Sequence, residues 1–348
     1  MSRITIIGSG SWGTALAISF ARNSRHSIVL WSHTTAVAEA IEKHRQNLQY
    51  LPGYSIPEQV SATADLASSV ENAEIVVNAI PSQHVRETYR ILAPHLASTQ
   101  ILLSATKGIE DHSFLRMTEV ISQEVDRNLS RDVGNARPYS DPKGFAVGVL
   151  SGPSFAQEVA AGLPTAITVA FSSAHVAARI QEEFSSPFLR LYTNDDVIGV
   201  ELAGALKNVI AIAAGIASGL ELGHNSMAAI VTRGIAEITR LAIACGGRRE
   251  TLAGLSGLGD LVLTCTGPLS RNRTVGVELG RGRELNEILA GLGGKIAEGV
   301  RTTSAALGLA KLHGVEMPIT EQMFEILNHG KSAQDAIRDL MSRPGRDE

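Results

Sequence analysis

Short apolar, β-branched runs alternate with helix-like segments through the first half of the chain. The runs cover residues 4–7, 27–31, 75–79, 101–104, 146–150, 165–170 and 189–192. Helix-like segments lie between several of them, at 12–22, 35–45 and 85–95. Alternation of this kind predicts a parallel sheet covered on both faces. From residue 197 onward the pattern changes. Long Ala/Leu/Ile/Gly segments predict helices over 197–220, 226–245, 271–280, 285–290, 302–313, 319–328 and 333–341, and no strand. Pro318 and the Gly330-Lys331-Ser332 stretch read as breaks between helices. The expected organisation is an α/β domain over 1–195 and an all-helical domain over 196–348. Residues 126–143, rich in Asn, Asp, Arg, Gly and Pro, read as a surface loop.

Composition narrows the picture. The chain has 348 residues, enough for two domains, and 44% hydrophobic residues, enough to fill both cores. The net charge of −4, without a basic tail, argues against nucleic acid as a partner. Cys245 and Cys265 have no CxxC spacing, so a reducing, cytoplasmic setting is expected. The first apolar run is too short for a signal peptide. The stretch 197–220 carries Glu201 and Lys207 in its middle, which argues against a membrane span. No His or Cys cluster suggests a metal, and no GxSxG or Cys–His nucleophile pattern is present.

The first strand runs into Gly8-Ser9-Gly10-Ser11-Trp12-Gly13. In a strand–turn–helix setting each glycine has a role. Gly8 permits the tight turn, Gly10 lets backbone approach a pyrophosphate, and Gly13 lets helix pack on strand. The helix N-terminus then offers N–H groups and a positive dipole end to the phosphates. A Rossmann-type dinucleotide domain is the expectation. The second strand ends Trp31-Ser32-His33-Thr34, with no carboxylate before Glu39. An acid there would hold a ribose 2′-hydroxyl and repel a 2′-phosphate. Its absence, with His33 in its place, favours NADP or use of both nucleotides. An exposed loop histidine without a ligand role fits His33 as well.

Lys107 follows a strand, at the end where open α/β sheets bind ligands. It can reach a bound anion, or be a solvated loop residue. Lys207 interrupts an otherwise apolar helix. Burial disfavours an ammonium, which suits a general acid/base near neutral pH. The competing reading pairs it with Glu201. Asp260, among small and apolar residues, can orient Lys207 or a substrate hydroxyl, or simply cap a helix. Ser270, Arg271 and Asn272 read as a helix start able to clamp a phosphate, or as an ordinary capped terminus.

Taken together, GSGSWGTALA, the Ile80-Pro81-Ser82 triplet, ATKGIE, SGPSFAQEVAAGLPTA, ELAGALKNVIAIAAG, LGDLVLTC, SRNR and AEGVRT run through nearly the whole chain. In these motifs and their order the sequence resembles the bacterial NAD(P)-dependent glycerol-3-phosphate dehydrogenases. The resemblance implies a Rossmann domain followed by a helical domain, usually as a homodimer. It implies reversible hydride transfer between NADP or NAD and dihydroxyacetone phosphate, giving sn-glycerol 3-phosphate for glycerophospholipid synthesis. It implies Lys207 as the proton acceptor and donor, with Lys107 and Asp260 beside it. Substrate contacts would be Lys107, Gly152, Ser154, Lys207, Asp260, Ser270, Arg271 and Asn272. Cofactor contacts would be Ser11, Trp12, His33, Lys107, Ala156, Arg271, Ile296 and Glu298, along with the glycine turn. Two features depart from the family. Residues 126–143 look longer than usual, and His33 stands where many relatives have arginine. Ketopantoate-type reductases and related hydroxyacid dehydrogenases share the glycine turn and a lysine in the helical half, but not SGPSF, LGDLVLTC and SRNR. A nucleotide-binding regulatory protein without catalysis would not need Lys107, Lys207 and Asp260 together.

Overall fold

The apolar runs of the first half form one sheet. A computed structural model describes residues 2–23, 25–133, 144–291 and 297–345. Ten strands occur among them: β1 (Ser2–Ile7), β2 (His26–Trp31), β3 (Gln46–Asn47), β4 (Leu51–Ser55), β5 (Val60–Thr63), β6 (Ile75–Asn78), β7 (Ile101–Ser104), β8 (Ala146–Ser151), β9 (Thr165–Ala170) and β10 (Leu189–Asn194). Eight make a sheet in the order β10-β9-β8-β7-β6-β1-β2-β5, and β3 and β4 make a separate ribbon.

Side-chain alternation shows why strands in this sheet are apolar throughout. Ile75 and Val77 of β6, with Ile101 and Leu103 of β7, enter one core with the helices Ser11–Ala21 and Ala174–Phe184. Val76 and Leu102 enter another, with the helices Val85–Leu92 and Met117–Val133. Both faces are therefore covered, as predicted. The sheet is not wholly parallel. β8 and β9 pair antiparallel, while β9 and β10 pair parallel with each other. Side-chain period carries no information on strand direction, so the sequence pattern could not show this. The loop expected over 126–143 is also corrected in part. The helix Met117–Val133 continues through its first eight positions, and residues 134–143 lie outside the described residues.

Contact density divides the chain into two units. One comprises Met1–Lys107 and Leu115–Val197; the other comprises Gly108–Phe114 and Ile198–Glu348. Among its described residues the second unit is helical outside its turns. Its central helix, Val197–Gly219, is long and apolar enough to cross a membrane, but 89% of its most apolar window is buried inside the protein. That hydrophobicity serves a protein core. Ile109 and Phe114 join the same core, and the Phe114 ring lies where a side chain on Gly308 would stand. A buried carboxylate completes this unit. Glu237 accepts the backbone N–H groups of Ile319 (2.7 Å) and Thr320 (3.3 Å), capping the helix Pro318–His329. Burial outweighs these bonds and pushes the carboxyl up to about 7.

Candidate active site

The two units carry separate groups of candidate residues. In the first unit, β1 ends at Ile7 and the helix Ser11–Ala21 begins four residues later. Gly8 has φ +119°, and an added Cβ would lie 2.8 Å from Ala79 O. At Gly13 it would lie 1.8 Å from Gly8 O. Packing therefore demands glycine at both positions. Gly10 differs: an added Cβ there meets nothing within 4 Å. The space above Gly10 is open on the protein side, at the N-terminus of an eleven-residue helix. That geometry fits a pyrophosphate, because the helix start supplies N–H donors to a group that would occupy the space.

Trp12 is half-buried against the core, and its indole Nε1 is buried without an acceptor. Ser11 Oγ donates to Tyr50 O at 2.6 Å. His33 is exposed, edge-on to the Trp31 ring at 6.1 Å.

Lys107, Gly152 and Ser154 are brought together. Lys107 Nζ donates to Gly152 O at 3.1 Å, and Ser154 Oγ donates to the same oxygen at 2.9 Å. Gly152 has φ +136°, and an added Cβ would stand 3.0 Å from Ile167 Cα. Ala156 is the first residue of the helix Ala156–Ala161.

In the second unit Lys207 lies midway along Val197–Gly219, with its side chain 8% exposed. It forms an ion pair with Asp260, whose side chain is fully buried. It also donates to Thr264 Oγ1 at 2.7 Å, and that hydroxyl donates to Asp260 O at 2.6 Å. Asp260 thus balances the buried ammonium. A wide π-helical turn, Leu255–Gly259, delivers Asp260 to this place. Its Gly259 N donates to Gly254 O at 3.1 Å, and a side chain at Gly257 would stand 2.1 Å from Leu252 O. Single π turns of this kind recur at functional sites. The neighbouring Cys265 thiol is pushed up to about 12 by burial, so it stays protonated beside the pair.

The helix Arg271–Gly280 starts as expected. Ser270 caps it, with Oγ accepting from Arg273 N at 3.2 Å. Arg271 is exposed and Asn272 is buried. Asn272 Nδ2 donates to Asn208 Oδ1 at 3.0 Å, and Asn272 Oδ1 accepts from Gly299 N at 2.9 Å. The residue after Lys207 is thereby tied both to the phosphate-clamp candidate and to the helix Glu298–Leu312, which Glu298 begins. Ile296 lies outside the described residues.

Two helices meet backbone to backbone to hold this arrangement. A Cβ on Gly215 would stand 2.1 Å from Arg273 O, and one on Gly276 2.0 Å from Ile212 O. Gly219 and Gly280 repeat the contact one turn on, at 2.3 Å from Val277 O and 2.5 Å from Ile216 O. Sequence reasoning missed this seam and also Thr264, Asn208 and Asn47. The four-residue spacing of Gly215 with Gly219, and of Gly276 with Gly280, was its only visible signal.

Turns of this construction hold the pyrophosphate of a dinucleotide, and a lysine balanced by a buried carboxylate can pass a proton. They define a class, the nicotinamide-nucleotide-dependent dehydrogenases with a separate helical unit. Similarity to known proteins narrows it. Residues 3–177 match the family described as the NAD-dependent glycerol-3-phosphate dehydrogenase N-terminus, and residues 196–338 match its C-terminus. The chain is 60% identical to "Glycerol-3-phosphate dehydrogenase [NAD(P)+]" of Acidobacterium capsulatum, covering 100% of each chain. It is 58% identical to the protein of that name from Koribacter versatilis, covering 100% of this chain and 99% of the relative. The crystal structure of glycerol-3-phosphate dehydrogenase from Coxiella burnetii superposes with a TM-score of 0.90 at 38% identity, over 98% and 99% of the two chains. The chain belongs to the NAD-dependent glycerol-3-phosphate dehydrogenase family.

Proposed function

We propose that the protein interconverts dihydroxyacetone phosphate and sn-glycerol 3-phosphate, with Lys207 as the proton donor and acceptor. The observation that carries this reading is the buried Lys207–Asp260–Thr264 group in a chain that also holds the Gly8–Gly13 turn. When bound, a nicotinamide nucleotide would supply hydride-transfer chemistry at the substrate's C2. The rest falls to the chain's own residues. Lys207 Nζ gives a proton to the developing alkoxide and takes it back in the oxidation direction. Asp260 balances the ammonium and holds its direction, with Thr264 as a second tether. Lys107, Gly152 and Ser154 are proposed as substrate contacts on the family resemblance. Ser270, Arg271 and Asn272 hold its phosphate with a hydroxyl, a guanidinium and a helix N-terminus. Binding energy from that phosphate positions the carbonyl, so it contributes to rate as well as affinity.

The nucleotide is held by Gly8, Gly10, Ser11, Trp12 and Gly13, with His33 at the adenosine end. On the family resemblance, Lys107, Ala156, Arg271 and Glu298 would contribute further contacts; Ile296, the remaining expected contact, lies outside the described residues. The exposed His33, with no acid at the strand end, supports NADP as the preferred nucleotide. The free cysteines Cys245 and Cys265 support a cytoplasmic setting. A homodimer is proposed on the family resemblance.

The test is oxidation of NADPH and NADH with dihydroxyacetone phosphate as substrate. Turnover is expected with the wild-type protein. Lys207→Ala should lose nearly all of it while still binding nucleotide. Near-normal turnover by that variant would sink the assignment.

A further inference from the structure

The ribbon β3–β4 plays no part in the chemistry above, yet one of its residues grips the glycine turn. Asn47 is 1% exposed. Its Nδ2 donates to Ser9 O at 2.7 Å and to Thr14 Oγ1 at 2.8 Å. Its Oδ1 accepts from Tyr50 N at 3.1 Å. Thr14 Oγ1 in turn donates to Ser9 O at 3.2 Å. The Ser9 carbonyl therefore has two buried donors on it.

We propose that Asn47 is a positioning residue for dinucleotide binding, acting through the Ser9–Gly10 peptide. The reasoning is stereochemical. A peptide unit is planar, and no cis bond occurs among the described residues. In a trans unit C=O and N–H point in opposite directions. Fixing Ser9 C=O toward Asn47 therefore fixes Gly10 N–H away from it. Gly10 is the residue whose Cα faces open space. Asn47 thus holds a donor ready for a phosphate oxygen before the nucleotide arrives, so less ordering is needed on binding.

The ribbon also grips the next residue. Ser11 gives its only hydroxyl proton to Tyr50 O at 2.6 Å. A phosphate oxygen needs a donor, so Ser11 meets it through the backbone N–H. The ribbon takes up the Ser11 hydroxyl and the Ser9 carbonyl, and leaves backbone N–H groups to the anion.

This inference rests on the dehydrogenase reading, and the experiment separates the two. Asn47→Asp keeps the shape but sets a carboxylate oxygen against Ser9 O. NADPH affinity, measured by fluorescence titration, should fall at least tenfold. Turnover at saturating NADPH should stay within threefold of wild type, as should KM for dihydroxyacetone phosphate. A residue that merely stabilised the fold would lower the melting temperature without this split. Asn47→Ser, which keeps a donor, should recover part of the affinity and gives the same comparison should the Asp variant fail to fold. Unchanged NADPH affinity in a folded variant overturns the role of Asn47. Failure of the wild-type protein to bind either nucleotide overturns the dehydrogenase reading itself.

Discussion

Gly10 and Gly13 belong to one fingerprint, but the structure assigns them different work, and alanine at each should separate fold from function. At Gly13 the new methyl would stand 1.8 Å from Gly8 O. An ordinary carbon–oxygen contact is roughly 3.3 Å, so helix and strand must part by about 1.5 Å. Overpacking of this severity costs about 3 kcal/mol or more. In a protein of 348 residues that lowers the melting temperature by roughly 4 °C or more. At Gly10 the backbone has φ −65° and ψ 179°, which alanine adopts without strain, and the methyl meets no protein atom within 4 Å. Weaker capping and lower unfolded-state entropy oppose each other there, so stability should stay within about 1 kcal/mol. The methyl does fill the space assigned to the pyrophosphate. NADPH affinity should fall by at least about a hundredfold, equivalent to about 2.7 kcal/mol. Thermal denaturation without nucleotide, paired with NADPH fluorescence titration, measures both quantities. A Gly10→Ala protein that melts normally and binds NADPH like wild type would refute the assignment of that space. A Gly13→Ala protein with an unshifted melting temperature would refute the close approach of helix to strand.

Further predictions follow from the helical unit and the second strand. Gly276→Ala puts a methyl 2.0 Å from Ile212 O and should part the two helices that carry Lys207 and Asn272; kcat/KM for dihydroxyacetone phosphate should fall about a hundredfold. Gly314→Ala, at a glycine whose added Cβ meets none of the described residues, should leave kcat/KM unchanged, and equal losses in both would argue against the seam. Burial raises the Glu237 carboxyl from 4.5 to about 7, so the folded chain holds that proton more tightly than the unfolded chain. Its stabilising contribution is complete at pH below 4.5 and is lost as pH rises to about 7, a change worth up to about 3 kcal/mol. Glu237→Gln should flatten the pH dependence of unfolding free energy across that window; parallel curves for the two proteins would refute it. His33→Asp should shift preference from NADPH toward NADH, and an unmoved ratio of kcat/KM values would disprove the second-strand argument.

The sheet was largely legible because strands buried on both faces read as unbroken apolar runs. Val60–Thr63 escaped because it is short and half polar, and the ribbon Gln46–Asn47 with Leu51–Ser55 because Pro52 and Gly53 disguise it. The helices Ala156–Ala161 and Asp260–Thr266 are too short to show a period. In the site, Lys207 was visible as a charge in an apolar helix. Its partner could only be nominated, since Asp260 is 53 positions away. Neutral supports leave still less trace. Thr264, Asn208 and Asn47 look like ordinary polar residues until the fold sets them against Lys207, Asn272 and the Ser9 carbonyl.

The glycines of the helical unit answer a problem that the reaction poses. The proposed proton donor, Lys207, and the proposed phosphate clamp at 270–272 must keep a fixed separation, yet they lie on different helices. Had Leu or Met side chains spaced those helices, rotamer changes could alter the gap. Gly215 and Gly219 against Gly276 and Gly280 remove side chains from the seam, so peptide groups set the spacing directly. The bond from Asn272 to Asn208, and the one from Gly299 N to Asn272, fix rotation at the end where the chemistry lies. Because Asn208 follows Lys207 on the same helix, a shift of the clamp is carried to the lysine by backbone. The glycine cost to helix stability, roughly 0.8–1 kcal/mol per residue, is thus linked to a positional tolerance finer than side-chain packing would give. The apolar character of Val197–Gly219 follows from the same demand: a helix used as a ruler must be packed on every side, and Glu201, Lys207 and Asn208 are the buried polar residues that depart from that rule.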